Sequence, residues 1–341
     1  MTTPQKDPPA TQDNLIVIES PRQDEPHDGP RDVALDSSIT PGRRLLHAFL
    51  SGRSEHTVRG YQQDLERFRL FTGAPTPVVA VEALLTSPQG QANEVVLAFR
   101  NKLLDQKFSP ATVNRTVSSI RSMVKVARMI GLVPWTLEVP NVTSVTYRDT
   151  RGPGVETVQK MLEHLRDMPD QITARRNAAI IRLLFNQGLR RGEVTSLDVG
   201  HFDKTRGTLS VLGKKRRERE NIQLSETASK ALAAWLEVRP GPKNPPADAP
   251  MFISFAVSSL GHRLTGDGLL RMLKALGEAV GAKNVRPHGL RHTAITTALD
   301  RSNGNVRAVQ GFSRHKNVAT IQHYDDNRQN LGKQMSDLLD K

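Results

Sequence analysis

The chain has 341 residues, no cysteine, 37% apolar and only 4% aromatic side chains, and a formal net charge of +13. The length suffices for two domains of ordinary size, each with its own core. The missing cysteines exclude disulfides and thiolate metal ligation and make an intracellular, cytoplasmic location the simplest reading. No apolar run is long enough to span a bilayer, so no membrane association is expected. The charge is uneven: residues 1–40 hold eight acids and three bases, leaving 45 bases and 27 acids in the remainder. A body that basic points to a polyanionic partner, most simply nucleic acid.

Residues 1–40 are rich in Pro, Asp and Gln around one apolar island, NLIVIES, and are expected to be disordered. The island is either a docking peptide or part of a tail without function. From 41 to 140 the apolar spacing turns helical. SEHTVRGYQQDLERFRLFTG places Val58, Tyr61, Leu65, Phe68 and Leu70 at helix-compatible steps. SPATVNRTVSSIRSMVKVARMIGLVPW predicts a second helix, with Ser109 and Thr112 as caps, a stripe of Val113, Val117, Ile120, Val124 and Ala127, and Gly131 and Pro134 as its stop. A basic helical bundle results. Thr57, Arg59, Arg115, Arg121 and Lys125 are its candidate DNA-binding residues. A solvated helix face explains any one of these charges; their clustering favours a DNA-facing surface.

PNVTSVTYRDTRGPG breaks the periodicity and reads as a linker over 141–154. Helices return from 155 to about 200, including the apolar NAAIIRLLFNQGL. GTLSVLGKKRRERENIQL alternates apolar and polar residues on both sides of a basic turn, which predicts a β-hairpin. RPGPKNPPADAP is a Pro-rich loop, and the remainder is mainly helical. The expected fold class is mainly α with a small antiparallel β-sheet.

Four separated stretches set polar and cationic residues on well-formed apolar elements. They are NQGLRRGEVTSL with Arg190 and Glu193, LGKKRRERE with Lys214, PHGLRHTAITT with His288 and Arg291, and GFSRHKNVATIQHYDD with His315 and Tyr324. Each has an ordinary alternative, such as a surface Arg–Glu helix pair or a solvated charge run. Together they are an inventory for phosphodiester chemistry. Two arginines can grip non-bridging oxygens, two histidines can hydrogen-bond the same oxygens, and a lysine can protonate a departing alkoxide. A tyrosine can act as nucleophile where cations ease loss of its proton. Of the three tyrosines, Tyr61 fits an apolar stripe and Tyr147 sits in the linker, which leaves Tyr324. His288 and His292 also stand at the four-residue spacing of zinc sites. Against metal, Gly289 rather than a base follows His288, and no carboxylate cluster accompanies the pair.

Over about 40–335 the order and separation of these blocks resemble the tyrosine recombinases, the phage integrase family, which includes Xer-type recombinases and transposon integrases. HTVRGYQQDLERF and SPATVNRTVSSIRSM look like that family's helical core-binding domain. GLRRGEVTSL, LGKKRRERENIQL, HGLRHT and SRHKNVATIQHY look like its four catalytic blocks. The resemblance implies a two-domain C-shaped clamp: a core-binding domain over 41–140, a catalytic domain over 155–330, and a helical tail over 331–341. Arg190 and Arg291 become phosphate-gripping residues, Lys214 the general acid on the leaving 5′ oxygen, His288 and His315 hydrogen-bond donors, Tyr324 the nucleophile and Glu193 a support. Lys215, Arg216 and Arg217 in the hairpin turn join the DNA-binding set.

The implied function is site-specific recombination of double-stranded DNA through a 3′-phosphotyrosyl intermediate and a Holliday junction. No cofactor, ATP or metal is expected. A homotetramer on paired sites is expected, monomeric or dimeric when free, acting at the nucleoid. The alternatives are a catalytically inactive architectural DNA-binding protein and a topoisomerase IB-like nicking-closing enzyme.

Two departures from the family pattern bear on the site. The hairpin turn is one residue longer than usual, so Lys215 competes with Lys214 for the acid role; Lys214, directly after Gly213, is preferred. Ser313-Arg314 stands where Leu-Gly is common, and Arg314 adds a cation without an assignable role. After Tyr324, Leu331, Met335, Leu338 and Leu339 form a partial stripe, which packs on its own domain or on a neighbouring protomer.

Overall fold

A computed structural model describes residues 40–143, 152–213, 218–321 and 339. The chain divides into two compact units, Met1–Thr146 and Tyr147–Lys341. Lys214, Lys215, Arg216, Arg217, Tyr324 and the C-terminal stripe, apart from Leu339, lie outside the described residues, as do residues 1–39 and most of the linker.

The described part of the first unit is all helical: α1 (Pro41–Leu50), α2 (Glu55–Thr72), α3 (Pro77–Thr86), α4 (Gln89–Asp105) and α5 (Pro110–Met129). Its boundaries follow local chemistry. Thr40, Ser54, Thr76 and Ser109 each accept, on the side-chain oxygen, an amide of the first turn, worth about 1 kcal/mol apiece. Proline occupies the first turn of α1, α3 and α5, where its missing N–H costs nothing. Val113, Val117, Ile120, Val124 and Ala127 are all buried in the unit's single core with Leu65, Phe68 and Phe99. Tyr61 packs there too, its ring 4.5 Å from that of Phe49. Leu70 does not: it is 64% exposed. Two residues past Phe68, it has turned about 200° to the opposite face of α2.

Among the described residues one charged group is buried inside this bundle. Asp64 is fully buried and accepts from Arg115 Nη1 (2.7 Å), Ser119 Oγ (2.7 Å), Thr116 Oγ1 (3.0 Å) and Arg67 Nη1 (3.0 Å). Three of these donors come from α5, so the carboxylate bolts α2 to α5.

The second unit comprises α6 (Val155–Arg166), α7 (Gln171–Asn186), α8 (Arg191–Thr195), β1 (Phe202–Asp203), β2 (Thr208–Leu212), β3 (Arg219–Gln223), α9 (Glu226–Val238), α10 (Gly266–Ala279), α11 (Pro287–Arg301) and α12 (Val306–Ser313). The expected hairpin is present: β2 pairs antiparallel with β3, with Leu209 opposite Ile222, and β1 adds a third strand in the order β1-β2-β3. The apolar α7 runs through the core, where Ile180, Ile181, Leu183 and Leu184 are fully buried among residues of α6, α9 and α10. Trp235 of α9 is fully buried and donates through Nε1 to the Met251 carbonyl at 3.0 Å. A smaller cluster of Ile295, Leu299, Val309 and Ile321 joins α11 to α12. The class is mainly α with a small antiparallel sheet, as expected. Among the described residues, no single helix is long and apolar enough to cross a membrane.

Candidate active site

Three chain segments of the second unit meet at one place: the turn from α7 into α8, the first turns of α11, and the residues just after α12. Arg190 caps α8. Its amide donates to Glu193 Oε2 at 2.8 Å and its Nη1 to Glu193 Oε1 at 2.7 Å. Glu193 is 4% exposed, so the carboxylate is an internal anchor rather than half of a surface helix pair. Burial raises its pKa, but the Arg314 charge and the bonds from Arg190 outweigh burial, and the carboxyl sits below its ordinary value.

Arg291, on the second turn of α11, is 2% exposed. Its Nη1 donates to the Gly188 carbonyl and its Nη2 to the Ser313 carbonyl; Nη2 also lies 3.3 Å from His315 Nε2. One guanidinium thus joins all three segments. Gly188 is needed where it stands: its φ is 56°, and an added Cβ would press on the Phe312 ring at 3.1 Å.

The two histidines are electrostatically alike. His315 Nδ1 lies 2.9 Å from Ser313 Oγ. An arginine offers no acceptor, so Nε2, which faces Arg291, is the unprotonated nitrogen and Nδ1–H donates to the serine. Burial, followed by Arg291, Arg190, His288 and Arg314, pushes His315 down to about 4. Burial, then Arg291, Arg286 and Arg190, also lowers His288. His288 follows Pro287 in the first turn of α11, where the helix dipole further disfavours a charged ring. Both imidazoles are neutral near pH 7.

A stability consequence follows for His315. Its folded pKa, about 4, lies below the ordinary 6.5, so as pH falls the unfolded chain binds the proton first. Stability present above pH 6.5 is lost between 6.5 and about 4, by on the order of 1–2 kcal/mol after allowance for the ring's partial exposure. Urea unfolding at about pH 7 and about pH 4 should show a larger loss for the natural chain than for His315→Asn. Equal losses in the two proteins would rule the effect out.

The remaining candidates divide. His292 is buried on the same helix, with Nδ1 3.4 Å from Thr296 Oγ1, one turn further on. Among the described residues no three His, Asp or Glu side chains are grouped as metal ligands. In the first unit, Thr57 and Lys125 are exposed. Arg59 is exposed beside Glu55 at 3.5 Å, and Arg115 is half-exposed on Asp64. Arg121 instead binds inward, its Nη2 donating to the Val139 carbonyl at 2.6 Å and to Asn141 Oδ1 at 3.3 Å, which ties the chain after α5 back onto that helix.

Sequence reasoning left Arg314 without a role and missed Gly152. Arg314 is ion-paired to Glu193 Oε2 through Nη2 at 2.8 Å, with 7% of its side chain exposed. Gly152 lies against α11, where an added methyl would overlap the Gly289 carbonyl and the Thr293 hydroxyl. The Thr293 hydroxyl also accepts the Gly154 amide at 3.3 Å. Here the signal was the Gly-Pro-Gly run itself, which marks a close backbone approach as well as a linker.

A mainly helical unit that gathers two arginines and two histidines from three segments suits an enzyme acting on an anionic substrate, and comparison with known proteins identifies the family. Residues 155–330 match the phage integrase family. The chain is 36% identical over 291 residues to a tyrosine recombinase of Synechocystis sp., covering 84% of this chain and 91% of that protein. It is 30% identical over 272 residues to the tyrosine recombinase XerC of Pseudomonas putida, covering 80% and 85%. The chain belongs to the phage integrase family and is a tyrosine-type site-specific recombinase. Its fold is shared with the Tn1549 transposon integrase in complex with transposon right end DNA (TM-score 0.64, 16% identity, 89% of this chain and 99% of that one). It is shared also with XerH bound to a palindromic difH substrate in a post-cleavage complex (TM-score 0.62, 16% identity, 84% and 80%).

Proposed function

We propose that this recombinase cuts and rejoins double-stranded DNA at a specific site through a 3′-phosphotyrosyl intermediate. The observation that carries the reading is the convergence of Arg190, Arg291 and His315 from three chain segments, with His288 in the first turn of the helix that carries Arg291. Two arginines against one carboxylate, Glu193, retain charge for a phosphodiester. Arg190 and Arg291 hold its non-bridging oxygens as negative charge grows in the transition state. His288 and His315 serve the same oxygens, His315 as a donor only when its proton moves from Nδ1 to Nε2, and neutral His288 is available to accept the phenolic proton of Tyr324.

Tyr324 Oη attacks phosphorus, the bond to the 5′ oxygen breaks, and Lys214 protonates that oxygen. The freed 5′-hydroxyl of a partner strand then attacks the phosphotyrosyl ester and releases the enzyme. One ester replaces another of similar energy, so the exchange asks for neither ATP nor a metal. Two rounds pass through a Holliday junction in a tetramer on paired sites. Residues 41–140 serve as the core-binding domain, with Thr57, Arg59, Arg115 and Lys125 toward DNA, and 155–330 as the catalytic domain. The work is done in the cytoplasm, at the nucleoid. Support for a duplex partner comes from the basic body of the chain and from the DNA-bound complexes of the Tn1549 integrase and XerH.

The test uses a duplex recovered by binding selection, nicked beside the scissile position so that religation is blocked, and incubated in EDTA. A covalent protein–DNA adduct is expected, and none with Tyr324→Phe. An adduct that survives in Tyr324→Phe, or one that EDTA abolishes, would overturn the mechanism.

A further inference from the structure

Arg314 has no place in the scheme above, yet the chain goes to some length to seat it. It follows the last residue of α12 with φ 54° and ψ 37°, a left-handed conformation that glycine adopts freely and arginine does not. Its amide closes the helix by donating to the Gln310 carbonyl at 2.8 Å. The side chain turns inward rather than to solvent. Nη2 donates to Glu193 Oε2 at 2.8 Å, and Nη1 lies 3.4 Å from the Phe312 carbonyl and 3.5 Å from that of Gln187. Its own carbonyl accepts Arg190 Nη2 at 3.5 Å. The next residue in the chain is His315.

The charges in this cluster are informative. Glu193 Oε1 takes Arg190 Nη1, while Oε2 takes the Arg190 amide and Arg314 Nη2. A carboxylate paired with Arg190 alone would hold that side chain still but would also neutralise it. With a second guanidinium on the same carboxylate, the trio keeps one net positive charge. In a buried setting a unit charge acts strongly over such distances, because little water screens it.

We infer that Arg314 is a positioning residue for Arg190: it shares the Glu193 carboxylate, so that Glu193 anchors Arg190 without cancelling the charge that a scissile phosphate needs. It also ties the segment carrying His315 to the α8 cap, so that the two phosphate-facing groups move as one. This role rests on the phosphate-site reading given above.

The experiment compares Arg314→Met, Arg314→Lys and Arg314→Gly in the full chain. Methionine keeps much of the volume and removes the charge, lysine keeps the charge, and glycine relieves the left-handed backbone and guards against a variant that fails to fold. In the Tyr324→Phe background, inorganic phosphate at constant ionic strength is titrated and the rise in Tm recorded. In the Tyr324 protein, single-turnover adduct formation and duplex Kd are measured. Arg314→Met and Arg314→Gly should weaken the phosphate response and slow adduct formation about tenfold. Duplex Kd should change no more than about twofold, because many other contacts carry binding. Arg314→Lys should recover most of both losses. A full phosphate response and normal cleavage in Arg314→Met would overturn the role of Arg314 alone. A natural chain that neither responds to phosphate nor forms an adduct overturns the phosphate site itself, and this role with it.

Discussion

Replacing Arg291 by alanine is expected to lower the rate of adduct formation by on the order of 10³-fold, because even a single lost donor to a developing oxyanion costs roughly 10²–10³. Arg291 supplies both a charge and a fixed fork. It is 2% exposed and bonded to two carbonyls and a histidine from other segments. Arg291→Lys keeps the charge but cannot span the same partners, so it should recover only part of the rate. The alanine variant should also lose about 3 kcal/mol of stability, since it leaves buried Gly188 and Ser313 carbonyls without their donor. Of the two tryptophans, Trp135 is partly buried in the first unit and Trp235 fully buried in the second. Fluorescence during urea unfolding in a Trp135→Phe background therefore reports the second unit. A rate within tenfold of the natural chain, with Trp235 unfolding unchanged, would remove Arg291 from the centre of the site.

The second large effect is expected where no catalysis takes place. Asp64→Ala should destabilise the first unit by about 3–5 kcal/mol, the range for breaking a buried, multiply bonded charge. Asp64 is fully buried with four donors, and the Thr116 hydroxyl has no route to water. Arg115 and Arg67 keep side-chain exposures of 47% and 30%, so their heads can turn outward; Thr116 and Ser119 cannot follow. Asp64→Asn keeps the shape but turns one acceptor into a donor facing other donors, and should recover little of the loss. The measurement is hydrogen exchange along α2 and α5 through a urea series. Protection equal to that of the natural chain would show that the carboxylate is not the bolt between the two helices.

These two residues mark what could and could not be read in advance. Arg291 stood out because it lies three residues from His288, in a block whose order along the chain matched three others. Asp64 within QQDLERF reads as one more solvated helix charge, and Leu70 has the spacing of a stripe it does not join. A list of compatible steps does not rank them; only packing shows which face of α2 turns inward. The hairpin was legible because alternation on both sides of a basic turn is a local pattern. The inward use of Arg121 was not, because its partners Val139 and Asn141 belong to an extended stretch without periodicity.

The sequence by itself determined the fold class, the bounds of α5, the hairpin and the family. Each of these is written in neighbouring residues: a capping hydroxyl, a proline in a first turn, a period of 3.6 or 2, a fixed spacing between motif letters. The tertiary structure alone decided what those residues became. Glu193 and Arg314 stand 121 positions apart and form one ion pair, and Asp64 and Arg115 pair across 51. The depressed pKa of His315 arises from burial and from cations on other segments. Burial and the field of distant charges are sums over the folded volume, and no local window of sequence contains them.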